Sequence, residues 1–184
     1  MTDFPLISGK NAQKFILRRG KVVVLGIDPG LATLGYGVLR KENGRTEVLD
    51  YGVVLTPKEE RIPTRLRMLE EGILAVIGKY SPDVVAMEEL FFQNNQKTAI
   101  AVAEARGVAL LTCVKNVKDL FEYTPLQIKQ AITGYGRADK LQMQQMVKTL
   151  LGLSKIPKPD DAADALAVAL CHLNTGRLFG MFRM

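Results

Sequence analysis

The sequence predicts an α/β fold: a mixed five-stranded sheet flanked by helices. Two short, almost wholly apolar runs, residues 22–28 and 84–87, have the length and β-branched content of strands buried on both faces. Segments with helical spacing alternate with strand-like runs after residue 60. The first three strand candidates are separated only by turns, so an antiparallel meander should lead into parallel, right-handed crossovers.

The elements follow in order. Residues 22–28 end at Pro29-Gly30, which stops a strand. Residues 34–40 form the second strand and 47–55 the third, with Asn43-Gly44 as the turn between them. Residues 63–80 place Leu66, Leu69, Ile73, Val76 and Ile77 on one helical face, and Ser81-Pro82-Asp83 ends that helix. Residues 84–87 form the fourth strand, 98–114 an alanine-rich helix and 120–123 the fifth strand. Helices are expected at 125–133, 140–151 and 160–174. The N-terminal residues 1–20, with Lys10, Lys14, Arg18 and Arg19, read as a basic arm, and 177–184 as a tail around one domain of residues 21–176.

The bulk properties narrow the class. A chain of 184 residues with 47% hydrophobic content can bury one full core. The formal net charge of +6 and isoelectric point near 9.4 favour a polyanionic partner. One histidine and two cysteines nearly exclude a zinc site. Cys113 and Cys171 lie in apolar helical stretches and read as free buried thiols. No run of eighteen apolar residues exists, and the first twenty residues lack a secretory h-region, so a cytoplasmic, reduced protein without a membrane span is expected.

Four carboxylates sit against apolar runs: Asp28, Glu88, Asp161 and Asp164. An ionised carboxylate there is costly unless it is paired or binds a cation. Asp28 and Glu88 close the first and fourth strands. If those strands are parallel neighbours, both acids lie at the carboxyl edge of the sheet, where open α/β sheets place their sites. The simpler reading makes Asp28 a turn cap and Glu88 the start of a loop. Asp161 and Asp164 share a helical face, opposite a stripe of Ala162, Ala165, Leu166, Ala169, Leu170 and Leu173. Helix capping is the alternative reading of acids at that position, stronger for Asp160 than for Asp164. Asp160 and Asp164 also share a face, so spacing leaves Asp160 and Asp161 as alternatives. His172 lies roughly 16 Å along the helix from Asp161, too far to share a metal. A hard divalent cation would reconcile several carboxylates in one pocket, and within a basic protein that combination points to a nuclease.

Gly30, Gly35 and Gly37 either make room for a phosphate strand or for the helix. Phe91 and Phe92 open a polar loop, where an outward ring is placed to stack on a base. Lys129, Arg137 and Lys140 form either a solvated basic face or a phosphate-binding one.

At these residues the chain resembles a known family. The segments G-I-D-P-G-L-A-T-L-G-Y-G-V, A-M-E-E-L-F, E-A-R-G-V-A, F-E-Y-T-P-L-Q-I-K-Q-A-I-T-G-Y-G-R-A-D-K and D-A-A-D-A-L-A-V-A are similar to the bacterial RuvC Holliday-junction resolvases, in order from residue 22 to 174. The resemblance implies a ribonuclease-H-like fold, a homodimer, and paired nicking of four-way DNA junctions with two Mg²⁺ ions per site, for which Mn²⁺ substitutes. It implies that Asp28, Glu88, Asp161 and Asp164 are the catalytic metal-binding acids, and it selects Asp161 over Asp160. It further implies that Phe91 stacks near the junction centre, that Lys129 and Lys140 contact DNA, and that a RuvA–RuvB branch-migration complex is the partner. The alanine-rich helix, with Ala101, Ala105 and Val108 on one side, is the expected dimer surface; packing of that stripe on the sheet is the alternative. The basic leader departs from the family pattern.

Three other readings compete. A catalytically reduced relative would lack one or more of the acids. A sugar-kinase or actin-like ATPase shares the first hairpin but needs about twice the length. A non-enzymatic DNA-binding module explains the charge but not the buried acids.

Overall fold

A computed structural model describes residues 20–90 and 96–175. The expected basic arm (apart from Gly20), the C-terminal tail and Phe91 lie outside the described residues. The elements are β1 (Lys21–Asp28), β2 (Thr33–Glu42), β3 (Arg45–Leu55), α1 (Ile62–Tyr80), β4 (Val84–Glu88), α2 (Gln96–Asn116), β5 (Asp119–Tyr123), α3 (Pro125–Thr133), α4 (Lys140–Leu150) and α5 (Asp160–Asn174). They agree with the sequence expectation to within two residues at each end.

The sheet has five strands in the order β3-β2-β1-β4-β5. The first three strands form an antiparallel meander, and β4 and β5 add parallel to β1. The β2–β3 turn works because Asn43 and Gly44 both take positive φ, 50° and 80°, as a tight hairpin requires. Ser81, at φ 46°, closes α1 in the left-handed conformation just before Pro82. Capping boxes start α3 at Thr124 with Gln127 and α4 at Asp139 with Gln142.

Alternation along the strands makes two cores. Val23, Leu25 and Ile27 of β1 face α1 and α2, meeting Leu69, Ile73, Ile77, Ala105, Ala109 and Cys113. Val24, Ala86, Phe121 and Tyr123 face the other layer, built from α3, α4 and α5. By the same alternation Gly26, Asp28, Ala86 and Glu88 all belong to the α5 side of the sheet.

Helix α5 is more deeply buried than a single apolar stripe implies. From Ala162 to Leu173 every residue except Asp164 is buried, because the sheet covers one side while α3 and α4 cover the other. The glycines explain how it gets so close. A Cβ on Gly26 would stand 2.1 Å from the Ala165 carbonyl oxygen, one on Gly35 2.0 Å from that of Asp161, and one on Gly37 2.8 Å from the Leu166 nitrogen. Gly35 and Gly37 therefore clear space for the α5 backbone rather than for a phosphate strand, and Gly30 fits its own turn against Thr33.

The α2 expectation needs a correction. Ala105 is 0% exposed and packs on the sheet with Ala109, and Ala101 joins the same core, so this stripe is the inner face. Small side chains let the helix lie close to the strands. The outward apolar stripe consists of Ile100, Leu111 and Val114, 66%, 54% and 61% exposed.

Candidate active site

The parallel pairing of β1 with β4 aligns Ile27 with Met87, so the next residue of each strand, Asp28 and Glu88, reaches the same sheet edge. The first turns of α5 come down on this edge through the glycine contacts, carrying Asp161 and Asp164. Four acids separated by up to 136 positions in the chain thus meet at one place.

Their electrostatics record the meeting. Burial pushes Asp28 up to about 8, reinforced by the charges of Glu88, Asp164 and Asp161 and opposed by Lys140. Burial likewise raises Glu88 to about 7, with Asp164 adding to it and Lys129 opposing. Asp164 is raised by burial too, against the pull of Lys140. Asp160 is absent from the groups acting on Asp28 and is instead lowered, chiefly by a hydrogen bond from Lys158. Asp161 thus acts on Asp28 directly, while Asp160 acts on Asp164 and on Lys140.

A cleft of about 220 Å³ opens beside the acids, lined by Glu88, Asp164, Lys129 and Lys140 over a floor that includes Ile128, Met143 and Ala167. The Lys140 Nζ stands 3.4 Å from carboxylate oxygens of both Asp160 and Asp164. Those two acids hold its pKa above the ordinary value, although partial burial works against the charge. Lys129 borders the cleft from α3. Arg137 is exposed on the turn before α4, does not line the cleft, and makes no ion pair with any of the described residues.

The donor set fits a hard divalent cation: oxygen ligands only, in a partly buried pocket where burial and neighbouring like charges raise Asp28 and Glu88. Among the described residues no three acidic, histidine or cysteine side chains lie close enough together to hold one metal ion between them. His172 is a core residue. It is 1% exposed, shares a 2.7 Å hydrogen bond with the Tyr123 hydroxyl, and is pushed down to about 4 by burial. Cys113 and Cys171 are free and buried, with thiols raised by burial to about 12 and about 11.

Two ion pairs near the site escaped the sequence. Lys158 donates to Asp160 at 2.6 Å, and Arg106 of α2 pairs with Glu122 of β5. The first is a local pair across the bend that leads into α5, and the second joins two elements far apart in sequence, so neither has a helical or strand period that signals it.

The family model for crossover junction endodeoxyribonuclease RuvC matches residues 24–172. The chain belongs to the RuvC family. A RuvC protein of Alkaliphilus oremlandii is 56% identical over 163 residues, spanning 89% of this chain and 99% of that protein. One from Caldicellulosiruptor saccharolyticus is 59% identical over 151 residues, 82% of this chain and 91% of the relative. The solved Thermus thermophilus RuvC in complex with a Holliday junction substrate superposes with a TM-score of 0.77 at 34% identity, covering 88% of this chain and 98% of that one. A yeast mitochondrial Holliday junction resolvase, at TM-score 0.62 and 16% identity over 86% of this chain and 82% of that one, shares the fold. The fold is ribonuclease-H-like, as the motifs implied. The RuvC family consists of metal-dependent endonucleases, and this chain is one of them. No helix among the described residues is long and apolar enough to cross a membrane.

Proposed function

We propose that this protein resolves four-way (Holliday) DNA junctions by paired symmetric nicks during homologous recombination and repair, as a cytoplasmic homodimer built on a nuclease domain of residues 21–176. The observation carrying this reading is the convergence of Asp28, Glu88, Asp161 and Asp164 at one sheet edge, with Lys129 and Lys140 on its rim. Incubation of a synthetic four-way junction with Mg²⁺ should give symmetric nicks in opposing strands and leave linear duplex uncut. Equal cutting of both substrates would reject structure selectivity.

The four acids would hold the cations, and Mg²⁺ suits them: it binds through one or two carboxylates plus waters and phosphate, so it needs no closed cage. Two such ions per site, with Mn²⁺ as substitute, would supply Lewis acidity and a water of lowered pKa. The chain's own groups do the rest. Lys129 and Lys140 bind and orient the phosphate beside the acids, and Arg137 extends the basic surface outward. Phe91 supplies a ring for stacking at the junction centre. A RuvA–RuvB complex would be the partner that delivers the junction.

Two symmetric cuts need two sites related by a two-fold axis. The outward stripe of α2, Ile100, Leu111 and Val114, is the surface for a second copy. Gly107 lies on the same face with open space around its Cα, which allows close approach. Leu111→Glu should leave the monomer fold intact, because the residue is exposed, and should abolish the dimer at micromolar concentration. Sedimentation showing an undisturbed dimer would place the interface elsewhere.

A further inference from the structure

We propose that Asp160, outside the acid pocket, is a positioning residue that holds Lys140 at the pocket rim and thereby frees Asp164 for a cation. This rests on the metal-dependent reading above. Lys140 begins α4 behind the Asp139 capping box, so its backbone is fixed. Its ammonium reaches across to the start of α5, where Asp160 and Asp164 sit one turn apart and each offers an oxygen at 3.4 Å.

The two acceptors are not equivalent. Asp164 belongs to the pocket, so Lys140 and a divalent cation compete for the same carboxylate. Asp160 does not line the cleft and is the more exposed of the two, so it can keep the lysine without contesting a ligand, although its charge still reaches Asp164. It is also anchored: its other oxygen accepts from Lys158 at 2.6 Å. Entry of a cation at Asp164 then requires only that Lys140 give up one of two partners. The ammonium stays on the cleft edge, beside Lys129, where a phosphate oxygen would arrive. Without Asp160, Asp164 is the one carboxylate among the described residues left within ion-pair distance of Lys140, and cation binding must break that pair outright.

The test is Mn²⁺ titration by calorimetry, without DNA, on four proteins: wild type, Asp160→Asn, Lys140→Ala and the double variant. Asp160→Asn should weaken Mn²⁺ binding about three- to fivefold, the size of one partly exposed ion pair. Lys140→Ala should bind Mn²⁺ as tightly as wild type or more so. In the Lys140→Ala background, Asp160→Asn should change affinity less than about twofold, because its effect passes through the lysine. Asp160→Glu should retain wild-type affinity, a rescue that also guards against loss of the helix-start acid. The same weakening in both backgrounds would mean that Asp160 acts only through its overall charge, and would overturn the proposal. An unchanged affinity in Asp160→Asn would do the same. Failure of wild type to bind Mn²⁺, with Asp28→Asn indistinguishable from it, would instead remove the metal-dependent reading itself.

Discussion

Replacing Asp28 by asparagine is expected to slow junction cleavage about a thousandfold while leaving junction binding at wild-type strength or tighter. Asp28 ends β1 inside the pocket and interacts with the three other acids. Asparagine keeps its shape but removes the negative charge that would hold a cation. The loss of several kcal/mol of transition-state stabilisation follows from losing that charge at the reacting phosphate. Binding rests on Lys129, Lys140 and the wider basic surface, and it gains from removal of a carboxylate that repels phosphate. Single-turnover cleavage at saturating Mg²⁺, with gel-shift titration of the same junction, separates the two effects. The variant should not melt below wild type without a cation at pH 8, since the lost group is one whose ionised form the fold disfavours. Combining it with Glu88→Gln should cost far less than the product of the single losses, because the acids act as one unit. Near-normal cleavage by Asp28→Asn would remove the pocket from the chemistry.

The parts of the fold that the sequence made legible share a physical reason. The run V-V-V-L-G-I-D-P-G cannot lie on a surface, so it predicts a central strand with an acid at its end, and β1 bears this out. Pro, Gly, Ser and Asn punctuated the other elements closely enough to fix their ends. Helix α2 has two apolar faces. Periodicity alone does not say which one meets the sheet; size decides it, since alanines permit the close approach and Ile100, Leu111 and Val114 do not. The glycines posed the same problem. A glycine opposite a site can make room for a ligand or for a helix, and only the packing of α5 on β1 and β2 shows the second. Asp160 and Asp161 are adjacent, so a turn of about 100° between them sends one to Lys158 and Lys140 and brings the other close enough to act on Asp28. Pairs that span elements, such as Arg106 with Glu122, have no sequence period at all.

Without a divalent cation, the protein is expected to lose stability as pH rises from about 6.5 to 8, and Mg²⁺ should restore it most strongly at the upper end. Asp28 moves from 3.8 to about 8 on folding and Glu88 from 4.5 to about 7. Both values are raised, so the folded state holds protons that the unfolded state has already released. That contribution is fully present below the unfolded values and is lost as pH rises through the folded ones. The two shifts together are worth on the order of several kcal/mol. His172 works in the opposite direction. Its value falls from 6.5 to about 4, so stability from that residue increases with pH over this lower range and is complete above it. The acids are therefore read cleanly only above about pH 6.5. Cation binding has the matching sign: near pH 6.5 it must displace protons from Asp28 and Glu88, while above 8 the carboxylates are already free. Melting curves with EDTA and with Mg²⁺ across this range measure both effects. The EDTA curve should slope downward with pH, the Mg²⁺ increment should grow, and Asp28→Asn should flatten both. A flat EDTA curve in wild type, or a slope that Asp28→Asn leaves unchanged, would show that the pocket does not hold its protons as burial among like charges dictates.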